Sequence, residues 1–145
     1  TGESGGLAFG IYTAIAYWAL GQILIVIATA LYDRMMPYSL HDEIEKDNNA
    51  AGVAFAGLII AVANLIRHGL MGNFESWDQT LLEVAYETGI GLVVLPLIRT
   101  LVDRILLPGR KLSDEIAAQE KPNVGAGLIE AFGYIGGSVL IIWCI

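Results

Sequence analysis

The sequence predicts an all-α integral membrane protein with four transmembrane helices, arranged as two hairpin repeats of the same orientation. Its 145 residues are 55% hydrophobic and only 16% charged, whereas a soluble domain carries about a quarter charged residues. No charge occurs over residues 4–32 or over residues 50–66, and about 20 apolar residues are enough to cross a bilayer. In addition, the segment over residues 30–52 is repeated over residues 100–127.

The repeat is visible at individual positions. The corresponding pairs are Asp33 and Asp103, Pro37 and Pro108, Glu43 and Glu115, Ile44 and Ile116, and Asn49 and Asn123. Each copy lies between two apolar stretches, so the repeating unit is a membrane hairpin. We predict a single membrane domain over residues 1–145, with repeat 1 at residues 1–72 and repeat 2 at residues 73–145.

Helix one is predicted over about residues 7–32. This apolar run is too long for the hydrophobic region of a signal peptide and has no basic segment before it, so we expect a membrane helix rather than a cleaved leader. The loop that follows contains Pro37, which cannot continue a helix without strain. Ser39 is then placed to cap a short amphipathic helix in loop 1.

The remaining helices follow the same plan. Helix two is predicted over Asn49–Leu70, and helix three over about residues 80–106. Loop 3 repeats loop 1 and should contain a short amphipathic helix over residues 112–118. Helix four begins at about Asn123, so Asn49 and Asn123 are predicted to cap helices two and four.

Basic residues are placed unevenly among the connecting loops. Those of loops 1 and 3 are Arg34, Lys46, Arg104, Arg110, Lys111 and Lys121. The positive-inside rule therefore predicts that loops 1 and 3 are cytoplasmic and that both termini lie outside. The net charge of −7 argues against a nucleic-acid partner. The expected partners are the lipid bilayer and membrane proteins, either further copies of this chain or other subunits.

Five ionisable side chains fall inside the predicted helices, where charges are costly and usually face protein or water: Arg67, Glu83, Glu87, Arg99 and Glu130. Arg99 and Glu130 both lie roughly 10–12 Å from one interface at 1.5 Å per residue, so we predict that they form an ion pair. We expect Arg67 to pair with Glu83 or Glu87. These groups are interpreted as clamps between helices; the alternatives are a proton or cation path lined by the three glutamates, and contact with lipid or with a partner.

Small residues in helices two and four predict close contacts between helices. Gly133 and Gly137 form a GxxxG motif, and Gly52 and Gly57 each precede an alanine by four residues. Such residues allow backbones to approach where lipid provides no hydrophobic drive for association. Packing within one bundle is the favoured interpretation, with contacts in an oligomer as the alternative. Asn64 is expected to form a hydrogen bond between helices.

No catalytic, cofactor-binding or metal-binding residues are predicted. His41 and His68 lie at opposite membrane faces, so they cannot ligate one haem or metal, and the sequence has no phosphate loop or nucleophile-elbow motif. We therefore expect a non-enzymatic protein that acts by association, as a homo-oligomer or as an accessory subunit of a larger membrane complex. The alternative is an ion or small-solute channel or transporter that uses intramembrane acidic residues.

One set of residues resembles a known family. Met36-Pro37-Tyr38 is followed by an acidic stretch and by Asp-Asn-Asn-Ala-Ala-Gly at residues 47–52. Over nearly its full length the chain resembles the bacterial inner-membrane proteins grouped as domain of unknown function 350, in which a Thr-Pro-Tyr segment precedes a charged stretch and a Gly-Asn-x-Ala-Ala-Ala motif. Met36 stands here in place of the Thr, and Asn48 in place of the Gly. The resemblance implies a bacterial plasma-membrane location and two tandem hairpins, and it brings no activity.

Overall fold

The fold is described by a computed structural model that covers residues 3–72, 74–117 and 120–145. The helices in these residues are α1 (Glu3–Met35), α2 (Leu40–Glu45), α3 (Asn49–Leu70), α4 (Trp77–Leu106), α5 (Leu112–Ala117) and α6 (Val124–Cys144). Four of them are long and apolar enough to cross a membrane: α1 over Gly6–Met35, and the whole of α3, α4 and α6. The predicted all-α class with four membrane-spanning helices is therefore confirmed.

Several helix ends differ from the predicted bounds. α1 continues to Met35, because nothing interrupts its hydrogen bonds until the chain approaches Pro37. α4 begins at Trp77, where the side chain of Ser76 caps it. α5 ends at Ala117, and the predicted final residue of this helix, at position 118, lies outside the described residues.

The connections place α2 and α5 at one end of the bundle, which we call the short-helix end; the opposite end is the far end. α2 joins the end of α1 to the start of α3, and α5 lies between α4 and α6. Leu40, Leu112 and Ile116 of the two short helices are buried. Burial of their apolar side chains against the long helices anchors both connections to the bundle.

α3 and α6 form the centre of the bundle and share its most extensive interface. Their small residues permit this, because without side chains between them the backbones can approach closely. A Cβ atom added to Gly57 would lie 2.3 Å from Cα of Ala131, and one added to Gly127 would lie 2.4 Å from the carbonyl oxygen of Ala50. α4 packs against both central helices, and α1 packs mainly against α3.

Candidate functional site

Glu130 of α6 is the most buried charged residue in the described part of the chain, with 1% of its surface exposed. Its Oε1 accepts a hydrogen bond from Nε of Arg99 at 2.7 Å and another from the hydroxyl of Tyr134 at 2.5 Å. Arg99 also donates from Nη2 to Oγ of Ser113 at 2.9 Å. The ion pair thus connects α4, α5 and α6, and its two charges compensate each other away from water.

Two tyrosines from the first half of the chain complete this cluster. Tyr32, near the end of α1, is buried, and its ring lies edge-on to that of Tyr134 with centroids 5.6 Å apart. Burial raises the pKa of Tyr38, and the negative charge of Glu130 raises it further, so this hydroxyl keeps its proton at neutral pH. We call Tyr32, Tyr38, Arg99, Glu130 and Tyr134 the buried polar cluster.

The buried polar cluster contains oxygen atoms that are not fully used. Oε2 of Glu130 and the hydroxyls of Tyr32 and Tyr38 are buried and form no hydrogen bond of standard geometry with the described residues, although the hydroxyl of Tyr32 lies close to Tyr134 and that of Tyr38 close to Arg99. Buried polar atoms normally have hydrogen-bond partners. These three oxygen atoms could therefore each form a further hydrogen bond, and they lie beside the ion pair of Arg99 and Glu130. In the described part of the chain, no three His, Cys, Asp or Glu side chains lie together as a metal site would require.

The far end of the bundle shows a different pairing from the predicted one. Nδ1 of His68 lies 2.8 Å from Oε2 of Glu87, and Arg67 instead donates to Oδ1 of Asn64 at 3.2 Å. Glu83 is exposed. The prediction that Arg67 pairs with Glu83 or Glu87 is therefore wrong.

The angular positions on α3 explain this pairing. A Cβ atom added to Gly69 would lie 3.0 Å from Cα of Val84, so this side of α3 faces α4. At about 100° per residue, His68 lies about 100° around the helix from Gly69, whereas Arg67 lies about 200° from it. Only the histidine can therefore reach a carboxylate on α4. Depth in the membrane, on which the predicted pairing depended, does not determine this angle.

Asn48, rather than Asn49, caps α3. The side chain of Asn48 accepts from the N–H of Ala51 at 3.0 Å, and its Nδ2 donates to Oε2 of Glu43 at 2.8 Å and to the carbonyl oxygen of Ile116 at 2.7 Å. Asn49 is the first residue of the helix and is exposed. The prediction that Asn49 caps this helix is therefore wrong by one residue. The capping side chain belongs to the residue just before the first helical residue, because from there it can accept a hydrogen bond from an N–H group of the first turn.

The second connection contains counterparts of these contacts. Asn123 caps α6 and donates from Nδ2 to Oε2 of Glu115 at 3.2 Å. The first N–H group of each short helix donates to a carboxylate at the end of the preceding long helix. The donors are Leu40 and Leu112, and the acceptors are Asp33 and Asp103. Each connection is therefore held by one aspartate and by one asparagine–glutamate pair.

We expect Asn48→Ala to lower the free energy of unfolding by about 1–3 kcal/mol, because it removes a cap and leaves a buried carbonyl oxygen without its donor. The bond from Asn48 also lowers the pKa of Glu43. A lowered pKa stabilises the fold above the usual pKa of the carboxyl group, so part of the difference should disappear as pH falls through the pKa of folded Glu43. Reversible unfolding in mixed micelles, followed by circular dichroism, measures both effects.

Asn49→Ala is the matched control for this experiment. It removes an identical side chain from the next position, where the side chain is exposed, and we expect a change within about 0.5 kcal/mol. If the two alanine variants had equal stability, the contacts of Asn48 would have no energetic role.

The glycines predicted to pack helices fall into two groups. Gly57, Gly133 and Gly137 lie against neighbouring helices within the chain. Gly52 has open space around the position of an added Cβ atom, so it does not pack within the bundle. The inward positions at this level of α3 are taken by Ala51 and Ala54, which are buried.

Two comparisons with known proteins gave matches. A family model described as Domain of Unknown Function (DUF350) matches residues 6–145. The UPF0719 transmembrane protein YshE of Bacillus subtilis (strain 168) is 27% identical over 126 residues, which cover 87% of this chain and 87% of the relative. No solved structure matches the chain at a significant level. The name of the relative places it in a membrane and states no activity.

Proposed function

The chain belongs to the DUF350 family, as its motifs indicated, and from this premise we propose that it is a non-enzymatic membrane protein that acts by association. It associates with further copies of itself, or it is an accessory subunit of a larger membrane complex. The basic residues of the short-helix end support an orientation with that end in the cytoplasm and both termini outside. The proposed location is the bacterial plasma membrane.

The observation that carries this proposal is the length of α1. The ring of Tyr17 lies against that of Trp77, the first residue of α4, with centroids 5.6 Å apart. Residues 6–16, which we call the overhang, precede Tyr17 and extend roughly 16 Å further along the helix axis. The overhang touches the connection before α4 through the rings of Phe9 and Phe74.

The overhang is apolar and largely uncovered. More than half of the surface of each of its large hydrophobic side chains is exposed, namely Leu7, Phe9, Ile11, Tyr12 and Ile15. An apolar surface of this kind is stable only in lipid or against another protein.

Lipid alone covers α1 poorly. The uncharged part of the candidate span Gly6–Met35, residues 6–32, has a length of about 40 Å, against a hydrocarbon thickness of about 30 Å. Tilting would have to reach about 42° to bury all of it, just beyond the usual range of about 0–40°. α1 is also held near Tyr32 by its packing against α3, which supports a protein partner as the cover for the overhang.

Two glycines in the overhang favour contact with another helix. Gly6 and Gly10 are four residues apart, and neither has an atom within 4 Å of an added Cβ position. This spacing forms an open notch of the type through which membrane helices approach each other. Together, the uncovered apolar surface and the notch suit a helix of a neighbouring subunit.

The test is native mass analysis of the tagged protein, extracted with its surrounding lipid in polymer discs. We expect a homo-oligomer or a stoichiometric complex with other subunits, and we expect Gly10→Leu to reduce it because the leucine fills the notch. Gly136→Leu is the matched control, since Gly136 of α6 also has open space around it and lies outside the overhang. A wild-type protein recovered only as a monomer would contradict the proposal.

A second candidate function is proton movement, and one observation favours it. Ser138, Tyr134 and Glu130 follow each other at intervals of four residues on α6 and are all buried, so they form one polar stripe along the helix. Asn64 extends it by donating from Nδ2 to Oγ of Ser138 at 3.2 Å. The same purified assembly, reconstituted in vesicles, distinguishes the two functions: a proton flux that Glu130→Gln abolishes without dissociating the assembly would favour proton movement.

A further inference from the structure

At the far end of the bundle, an open groove runs between α1 and α3. Trp18, Gln22 and Ile25 line it on the α1 side, and Ile66 and Arg67 on the α3 side. The groove therefore combines apolar walls with two polar side chains. It is separate from the buried polar cluster, and its opening faces the surroundings of the bundle. We call it the Arg67 groove.

The charge of Arg67 is not neutralised within the described residues. Its guanidinium donates to Oδ1 of Asn64 at 3.2 Å and to Sδ of Met71 at 2.9 Å, and both acceptors are uncharged. No carboxylate of the described chain lies within salt-bridge distance of it, and Glu87 on α4 is paired with His68. Arg67 is exposed, so an anion can reach it.

Gln22 is a second unpartnered polar group in the same groove. It lies inside the apolar span of α1, it is exposed, and its carboxamide forms no hydrogen bond with the described residues. A polar side chain in contact with lipid is costly unless it has a partner. An acceptor placed in the groove would satisfy both the amide of Gln22 and the guanidinium of Arg67.

The depth of the groove indicates which acceptor is available. Arg67 is 19 residues after Asn48, the cap of α3, which corresponds to about 28 Å along the helix. The hydrocarbon core is about 30 Å thick. With Asn48 at the edge of this core at the short-helix end, Arg67 lies at the headgroup level of the leaflet at the far end. Trp18 beside it is a residue type that favours this interface.

We propose that the Arg67 groove binds a phospholipid of the surrounding bilayer. The headgroup phosphate accepts hydrogen bonds from Arg67 and Gln22, and an acyl chain lies against Trp18, Ile25 and Ile66. The planar guanidinium suits phosphate oxygens better than a point charge does. Charge complementarity and headgroup depth favour this occupant, while the apolar walls account for recognition of a lipid rather than a free anion.

The experiment measures lipid retention by native mass analysis of delipidated protein after addition of dioleoylphosphatidylglycerol. We expect one tightly retained phospholipid per chain, and about tenfold weaker retention in Arg67→Gln, because the charge-assisted bonds are lost. Arg34→Gln is the matched control: Arg34 is also exposed but lies at the short-helix end, and its loss should leave retention unchanged.

Two further additions identify the occupant. Dioleoylglycerol has the same chains without the phosphate, and equal retention of it would overturn the proposal in favour of a purely apolar groove. Displacement of the phospholipid by millimolar inorganic phosphate would overturn it in favour of a free-anion site. Unchanged retention in Arg67→Gln would also overturn it. If that variant does not fold, Gln22→Leu replaces it, and wild-type retention in Gln22→Leu then counts against the proposal.

Discussion

Replacing Arg99 by methionine is expected to lower the free energy of unfolding by about 3–5 kcal/mol, because Glu130 remains buried without the charge that compensates it. The side chain of Glu130 has no exposed surface, so water cannot take the place of the guanidinium. The variant also leaves Oγ of Ser113 without its donor, which loosens α5 from α4. Unfolding in mixed micelles of dodecylmaltoside and sodium dodecyl sulfate, followed by tryptophan fluorescence, measures the loss.

The double variant Arg99→Met/Glu130→Met is the control for this result. It removes both charges and fills the space with apolar groups, so we expect it to recover most of the lost stability. Equal instability of the single and double variants would show that shape, rather than charge compensation, dominates at this position. A single variant within about 1 kcal/mol of wild type would contradict the clamp interpretation of the pair.

Gly57→Ala is expected to lower the free energy of unfolding by about 1–3 kcal/mol through overpacking at the centre of the bundle. The added Cβ atom would lie 2.3 Å from Cα and 2.4 Å from Cβ of Ala131. These atoms cannot rotate away, so α3 and α6 must separate. The same unfolding measurement applies.

Gly52→Ala provides the matched control on the same helix. Its added Cβ atom meets open space, and alanine favours helix over glycine by about 0.5–1 kcal/mol. We therefore expect Gly52→Ala to be neutral or stabilising. Equal destabilisation of the two alanine variants would contradict the close contact between α3 and α6 as the cause.

The class of the fold could be predicted from the sequence because membrane helices are specified by length and apolarity alone. The depth of a charged residue follows from the same counting, and this is what brought Arg99 and Glu130 together as predicted partners. Depth depends only on the rise per residue, which is constant along a helix. The fold class and the depth of a charged residue can therefore be predicted without knowing how each helix is rotated about its axis.

Contacts that depend on rotation could not be predicted. Arg67 and His68 have nearly the same depth, but only His68 is turned toward Glu87, and the rotation of α3 is fixed by packing of Gly69 against α4. The tyrosines of the buried polar cluster were missed for a similar reason. Tyrosine is common at membrane interfaces, so the sequence gives no reason to place Tyr32 and Tyr38 elsewhere. Only the tertiary structure brings them close to Glu130 and Tyr134.

The capping error has a simple physical origin. Asn48 and Asn49 have the same side chain, and the alignment of the two repeats paired Asn49 with Asn123. Asp47 adopts a positive φ of 57°, which turns the chain sharply before the helix and places Asn48 at its start. A local backbone conformation of this kind leaves no clear signal in composition or periodicity.

The partners that hold this bundle together are separated along the chain, and this has a consequence for biosynthesis. α3 packs mainly against α6, which is the last helix of the chain. Arg99 of α4 is paired with Glu130 of the same helix. While the ribosome is still making α6, the inserted α4 carries an arginine whose counter-ion in the described structure, Glu130, is not yet in place. A nascent chain arrested before α6 therefore exposes the charge of Arg99 to the membrane. Insertion of α6 supplies Glu130, and the ion pair can then form.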